Sequence, residues 1–159
     1  MMTEDEFLDL FEQASYAYDM EDYVTAYRIY SALYLDRPKD VINHLAILYE
    51  FGQGVEQDIT YALKLYKHGW RLYQDTCCLK NISDLYDKQG NWQQAKYWWK
   101  KGISLGDGAC ALAYAEALIK RQSKDEQQIK QLLVYASEHE NMSEDDWQTA
   151  DHLLKEMST

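Results

Sequence analysis

The sequence predicts an all-α fold built from repeated helical hairpins, and a repeated apolar pattern is the first observation behind this prediction. Six residues recur 33 positions later in the same order. They are Ala62, Tyr66, Leu72, Cys77, Leu79 and Leu85, followed by Ala95, Trp99, Leu105, Cys110, Leu112 and Leu118. A period in the low thirties is typical of stacked hairpins, each of which buries its apolar face against its neighbours. Apolar and polar residues do not alternate over any long stretch, so no strand is predicted.

The size of the chain is the second observation. Its 159 residues suffice for one domain of about four hairpins. Because there is a single proline and little clustering of glycine or serine, no flexible linker is expected, and 1–159 should form one continuous helical array. The expected hairpins span about 4–36, 40–74, 76–105 and 109–138. A last helix at 143–157 would cover the open end of the array.

Local signals place the helices of the first two hairpins. The first helix should span 3–18, with Thr3 and Glu6 forming a capping box. The second should span 22–36 and stop before Pro38, because the residue that precedes a proline disfavours helical backbone. The third should run from 40 to 51 and end at Gly52, and Asp58 can cap the fourth.

The later helices follow the same rules. We expect them at 76–89, 92–105, 109–121 and 123–138, separated by glycine-containing turns. In the last helix Ser143 and Asp146 are spaced for capping. Its apolar residues fall on one side: Trp147, Ala150, Leu153 and Leu154.

Charge limits the classes of partner. The formal net charge of −11 argues against nucleic acid and anionic membranes. Carboxylates are concentrated at both ends, with eight in 4–22 and six in 138–151 and no Lys or Arg in either stretch. These runs are either solvated faces or surfaces that recognise a basic partner, and the sequence leaves both readings open.

Cysteine use and the first residues point to the cytoplasm. An odd count of three cysteines, two of them adjacent, does not form a disulfide framework. The chain starts with acidic residues where a secretory signal would need basic ones, and no stretch has the length of apolar sequence that a membrane span requires.

Neither catalysis nor a cofactor is predicted. The four histidines are scattered, and none lies at metal-ligand spacing from a cysteine or carboxylate: His44, His68, His139 and His152. Gly52 and Gly54 follow a predicted helix rather than a strand, so they are turn residues and not a phosphate loop. The three cysteines occupy packing positions, and we expect buried, inert thiols.

The stretch 45–58, followed by Ala62 and Tyr66, resembles the Sel-one-like subtype of tetratricopeptide repeats in its leucine, tyrosine, Gly-x-Gly-Val and aspartate positions. The other hairpins match the tetratricopeptide spacing less fully. The fourth departs from it at Gln128, where a small residue is expected, and the last helix lies outside the resemblance. The resemblance implies a short right-handed α-solenoid that binds proteins.

In this family the first helix of each hairpin lines a concave surface. The resemblance therefore implies a protein-binding groove formed by Phe11, Ser15, Tyr18, Asn43, Ile47, Glu50, Lys80, Asp84 and Asp87. Family members that hold a terminal carboxylate use an array of Lys, Asn and Arg, which only Lys80, Asn81 and Asn43 approximate here.

Aromatic residues make up 14% of the chain. Trp99 fits a core position, whereas Tyr97 and Trp98 lie off the packing stripe and could form an exposed contact. Stacking of single-stranded nucleic acid on these rings, beside Lys96 and Lys100, is opposed by the net charge.

The function we expect is that of a non-enzymatic protein-binding module, and a compact, acidic chain suits a small inhibitor such as an immunity protein that blocks a basic toxin or effector. One alternative is an adaptor or assembly scaffold that holds a peptide or helix in its groove. Another is a homodimer formed through the last hairpin.

Overall fold

The computed structural model describes residues 2–139 and 142–158, which form nine helices and no strand. This confirms the all-α prediction. The helices are α1 (Glu4–Asp19), α2 (Tyr23–Asp36), α3 (Pro38–Phe51), α4 (Ile59–Tyr73), α5 (Cys77–Lys88), α6 (Trp92–Ser104), α7 (Gly108–Lys120), α8 (Glu126–Ser137) and α9 (Glu144–Glu156). None of the helices in these ranges has both the length and the apolar character that a membrane crossing requires.

The helices pack in sequence order within two compact units that divide after Cys78. In the first unit α1 packs on α2, α2 on α3 and α3 on α4. In the second unit α6 packs on α7, α7 on α8, and α9 on both α8 and α7. Packing between consecutive helices is what a helical repeat array requires, because each hairpin buries its apolar face on the next.

Side chains at the helix starts fix most of the boundaries. Thr3 and Glu6 form the predicted capping box, and Asp58 and Ser143 cap α4 and α9 as expected. The start of α3 differs from the prediction, because the helix begins at Pro38 rather than two residues later. Proline suits the first helical position, where its missing N–H has no partner to lose.

The start of α8 also differs from the prediction. We expected this helix to begin at Ser123, but it begins at Glu126. The Asp125 carboxylate accepts a hydrogen bond from the backbone N–H of Gln128 at 2.9 Å, so Asp125 caps the helix. An aspartate is a strong cap, and it fixes the start of α8 three residues later than expected.

The core contains the residues at which the repeat was recognised. A small residue and a large aromatic one turn later are buried in the second helix of each of the first three hairpins. They are Ala26 and Tyr30, Ala62 and Tyr66, and Ala95 and Trp99. The small residue allows two helices to approach closely and the ring fills the adjacent space, which confirms the predicted core.

A glycine and a cysteine meet at equivalent places in the two units. A Cβ atom built on Gly69 would lie 2.7 Å from Cys78 Sγ, and one built on Gly102 would clash with Cys110. Cys78 is therefore the counterpart of Cys110, whereas the sequence repeat aligned Cys77 with it. The prediction of a buried thiol is wrong for Cys77, which is exposed at the first position of α5.

The loop between α3 and α4 needs both of its glycines. Gly52 ends α3 in left-handed backbone, as predicted. Gly54 also has positive φ, and a Cβ atom there would lie 2.7 Å from the backbone nitrogen of Val24 and closer still to the carbonyl of Tyr23. The loop thus touches the start of α2, an approach that only glycine permits.

Candidate functional site

Three of the nine predicted groove residues bond to aromatic residues of the core. Each of these hydrogen bonds joins the first helix of a hairpin to the second. We call the bonded residues the helix-bridging pairs: Ser15 with Tyr30, Glu50 with Tyr66, and Asp84 with Trp99. The donor and acceptor atoms lie 3.0, 3.0 and 3.2 Å apart, respectively. Glu50 is only 6% exposed. The polar atoms of these pairs therefore hold the hairpins together.

The other four predicted residues of the first unit are half-buried: Phe11, Tyr18, Asn43 and Ile47. The hydroxyl of Tyr18 donates to Gln53 Oε1 at 3.2 Å, and Asn43 Nδ2 donates to Asp75 Oδ2 at 3.0 Å. The Phe11 ring meets His44 edge to face at a centroid distance of 5.2 Å. Much of this face is thus engaged within the unit.

In the second unit two of the three predicted residues form an ion pair, and the third pairs with an arginine. Lys80 Nζ lies 2.7 Å from Asp84 Oδ2, while the other carboxylate oxygen of Asp84 accepts the Trp99 bond. Asp87 pairs with Arg121, whose guanidinium carbon lies 4.2 Å from the centre of the Trp92 ring.

Four charged side chains from α5, α7 and α9 influence one another, and we call them the Lys80 cluster: Lys80, Asp84, Glu116 and Asp146. Burial raises the pKa of Glu116; Lys80 opposes this, and the charges of Asp146 and Asp84 add to the rise. Burial alone would lower the pKa of Lys80, but Asp84 and then Asp146 raise it overall. One ammonium thus stands against three carboxylates in this cluster, so its formal charge is −2.

Beside this cluster a groove of about 530 Å³ runs between α7 and α9. Six of its eight lining residues are polar or charged, but most of the surface inside it belongs to apolar atoms, and Ile119 and Leu153 are its two aliphatic residues. Its charged lining residues include Glu116, Lys120 and Asp145. Sequence reasoning missed this groove, because α9 lies outside the repeat resemblance and only its apolar stripe indicated that something packs there.

The structure separates the two aromatic residues predicted to form an exposed contact. Tyr97 is 55% exposed, whereas Trp98 is half-buried and its indole nitrogen is buried without an acceptor. Lys101 Nζ lies about 6 Å from the centre of each ring. Tyr97 therefore offers more surface to a partner than Trp98 does.

The histidines and cysteines do not assemble. Across 2–139 and 142–158 no group of three or more His, Cys, Asp or Glu side chains has the geometry to hold a metal ion. Burial raises the pKa of the Cys78 and Cys110 thiols, which keeps them protonated and unreactive. Burial lowers the pKa of His44, whose ring stacks on Tyr30 and whose Nδ1 has no partner.

Comparison with known proteins leaves the chain to be interpreted from its own residues. None of the protein-family models matches it, and no curated protein gives a significant match. The resemblance to tetratricopeptide repeats therefore rests on the repeated residues themselves.

Proposed function

We propose that this chain is a non-enzymatic protein-binding module of the tetratricopeptide class, with a Sel-one-like second hairpin. Consecutive helices pack in order, as such an array requires. Helix-bridging pairs recur in three hairpins, and the glycine–cysteine contact recurs in both units. These features support a short array of helical hairpins, and the resemblance to tetratricopeptide repeats extends the proposal to a right-handed α-solenoid of four hairpins that α9 caps.

The groove between α7 and α9 is the observation that carries the binding proposal. It offers apolar surface from Ile119 and Leu153 next to the surplus negative charge of the Lys80 cluster. Burial and the neighbouring carboxylates disfavour the charged form of Glu116. An approaching cation would stabilise that charged form. Apolar contact combined with opposite charge is the usual basis of specific protein recognition.

The partner we propose is a basic protein, and the biological role is that of a small cytoplasmic inhibitor, for example an immunity protein that neutralises a toxin. The net charge of −11 favours rapid encounter with such a partner and disfavours acidic competitors. An inhibitor of this kind would form a tight one-to-one complex.

The second candidate is an adaptor that holds a peptide on the first helices of the first unit. Half-buried aromatic residues on α1 favour it, since Phe11 and Tyr18 could contact an apolar side chain. An adaptor would capture several partners weakly. A homodimer through the last hairpin is a third candidate, and a monomer in sedimentation at micromolar concentration would remove it.

Capture from native cells, followed by mass spectrometry and measurement of stoichiometry, tests the proposal. We expect one basic partner at one-to-one stoichiometry. Several substoichiometric partners would favour the adaptor. Capture of no protein, or of a partner with an acidic surface, would contradict the inhibitor role. A Tyr18→Ala variant tests the α1 face: it should retain the inhibitor's partner and lose a peptide held by the adaptor.

A further inference from the structure

We propose that the groove between α7 and α9 binds a cationic amphipathic helix of the partner, an inference that rests on the protein-binding function proposed above. The apolar residues of that helix would contact Ile119 and Leu153. Its Lys and Arg residues would lie beside Glu116 and Asp145. This assigns the contact to the second unit and gives the partner segment a definite chemistry.

The groove has an apolar part that a partner can cover. Ile119 is 38% exposed although it is a large aliphatic residue on a helix whose other face is buried. Leu153 is half-buried on the facing side of α9. Covering both with apolar side chains removes hydrocarbon surface from water, which is favourable in proportion to the area buried.

The direction of the groove favours a helix as its occupant. On α9 its lining includes Asp145, Thr149 and His152, which are spaced by four and three residues and so lie along one face of the helix. From Asp145 to His152 this face extends about 10 Å along the axis. A bound helix presents side chains at the same spacing, as in other complexes in which a helix lies in a groove.

Charge selects a cationic helix. Four carboxylates in the groove and the adjoining cluster face two ammonium groups, so the formal charge is −2: Asp84, Glu116, Asp145 and Asp146 against Lys80 and Lys120. Lys80 is already bound to Asp84 at 2.7 Å. Asp145 and Asp146 both lie in the first turn of α9, at the end of the helix that borders Glu116.

The distribution of charge also sets the direction of the bound helix. Glu116 interacts with Asp146, so the carboxylates lie toward the N-terminal end of α9. Lys120 and Leu153 lie about one to two turns further along their helices. On the contact side of a matching amphipathic helix, the Lys and Arg residues are therefore most numerous near Asp145 and the apolar residues near Leu153.

Binding of a synthetic helix to the purified full chain tests the inference. The probe is an amphipathic peptide of Leu and Lys with a fluorescent label, followed by anisotropy. One control peptide has Glu in place of Lys, and another has the Leu/Lys composition in a scrambled order. We expect the amphipathic Lys peptide to bind, the Glu peptide not to bind, and the scrambled peptide to bind at least about tenfold more weakly.

Variants locate the contact. Glu116→Gln with Asp145→Asn should weaken binding of the Lys peptide by about tenfold, because two charges at the rim are removed. Ile119→Ser should weaken it by a similar factor through lost apolar contact. The matched control, Glu12→Gln with Asp19→Asn, removes the same charge from exposed positions on α1 and should leave affinity unchanged. Circular dichroism confirms that each variant is folded.

Several results would overturn the inference. If the Glu116→Gln, Asp145→Asn variant and the α1 control bind the Lys peptide equally well, binding is only general charge attraction. The same conclusion follows if the ordered and scrambled peptides bind with equal affinity. If the groove variant still captures the native partner, the inference about the groove is wrong, but the proposed function is unaffected. In contrast, the groove could bind the Lys peptide although no native basic partner is captured. That result would contradict the proposed function but support the inference that the groove binds a cationic helix.

Discussion

Polar side chains at equivalent places in three hairpins bond to the core ring, but they differ in chemistry and burial. Ser15 and Tyr30 share a bond between two neutral hydroxyls, whereas Tyr66 donates to the carboxylate of Glu50. A hydrogen bond to a buried charged group contributes more than one between neutral groups. Identical substitutions in the two hairpins should therefore have unequal effects.

Removal of one hydroxyl tests this difference. Tyr66→Phe should lower the free energy of unfolding by about 2 kcal/mol, because the Glu50 carboxylate loses a charge-assisted bond in a buried place. Tyr30→Phe, the matched control in the same unit, should cost about 1 kcal/mol or less. Urea unfolding measures both. Equal losses would show that the charge of Glu50 adds nothing to its bond.

A second residue-scale prediction concerns the loop that touches α2. Gly54→Ala should destabilise the protein by about 3 kcal/mol, since left-handed backbone and a clash with the backbone of Tyr23 and Val24 add together. Gly90 has a similar φ but open space around it, so Gly90→Ala should cost about 1 kcal/mol. Thermal or urea unfolding checks the two. If both cost the same, the close approach in the loop is not important for stability.

The third residue-scale prediction concerns how the stability of the protein depends on pH. Burial holds the pKa of His44 below its ordinary value of 6.5, so the unfolded state binds more protons as pH falls through that value. The free energy of unfolding should therefore decrease as pH falls from about 7 to about 5. His44→Phe should reduce this slope while retaining the ring contacts with Phe11 and Tyr30.

The matched control for this titration is His152→Gln, because the His152 side chain is 72% exposed. Stability of both variants would be measured by urea unfolding at a series of pH values. An unchanged acid slope in His44→Phe would assign the pH dependence to other groups and contradict the prediction.

At the scale of elements, side-chain caps mark the starts of seven of the nine described helices. Asp22, Asn91, Asp107 and Asp125 each accept a hydrogen bond from a backbone N–H three residues later, as Thr3, Asp58 and Ser143 do. Such a bond satisfies a donor that a helix leaves without a partner. Short helices of 12–16 residues depend on these bonds because few of them would be stable alone.

The last helix offers an element-scale test. The Ser143 hydroxyl caps α9 by accepting a hydrogen bond from the backbone N–H of Asp146 at 3.1 Å. Ser143→Ala removes this cap and should lower the free energy of unfolding by about 1 kcal/mol. The loss should appear as faster hydrogen exchange in the first turn of α9. Ser104→Ala, at the C-terminal end of α6, serves as the control, because the Ser104 hydroxyl bonds to the carbonyl of Lys101 and does not cap a helix start. Unchanged exchange in α9 would show that its packing on α7 and α8 suffices to hold its start.

At the scale of the molecule, the acidic surplus should act on encounter more than on the fold. Attraction between exposed charges is screened at distances beyond about 10 Å in 0.1 M salt. The association rate with a basic partner should therefore fall by about tenfold from about 0.05 to about 0.5 M salt, and the dissociation rate should change less. Surface plasmon resonance separates the two rates. A dissociation rate that carries most of the salt dependence would contradict encounter steering.

The sequence determined the helical class, most helix boundaries and the core. These depend on local physics: apolar period, capping side chains and the backbone limits of glycine and proline are all readable along the chain. It placed the start of α8 three residues too early, and it predicted Cys77 to be buried along with Cys78, because both adjacent cysteines fitted the packing pattern.

Only the tertiary structure decided which polar residues of the first helices are engaged and where a free surface remains. Glu50 and Asp84 carry the same charge as Glu116, yet the first two bond to core rings and the third borders a groove. That difference arises from contacts between residues distant in sequence, and no period or spacing records such contacts. The groove itself exists because α9 packs on α7 and α8, which the sequence of α9 alone could not specify.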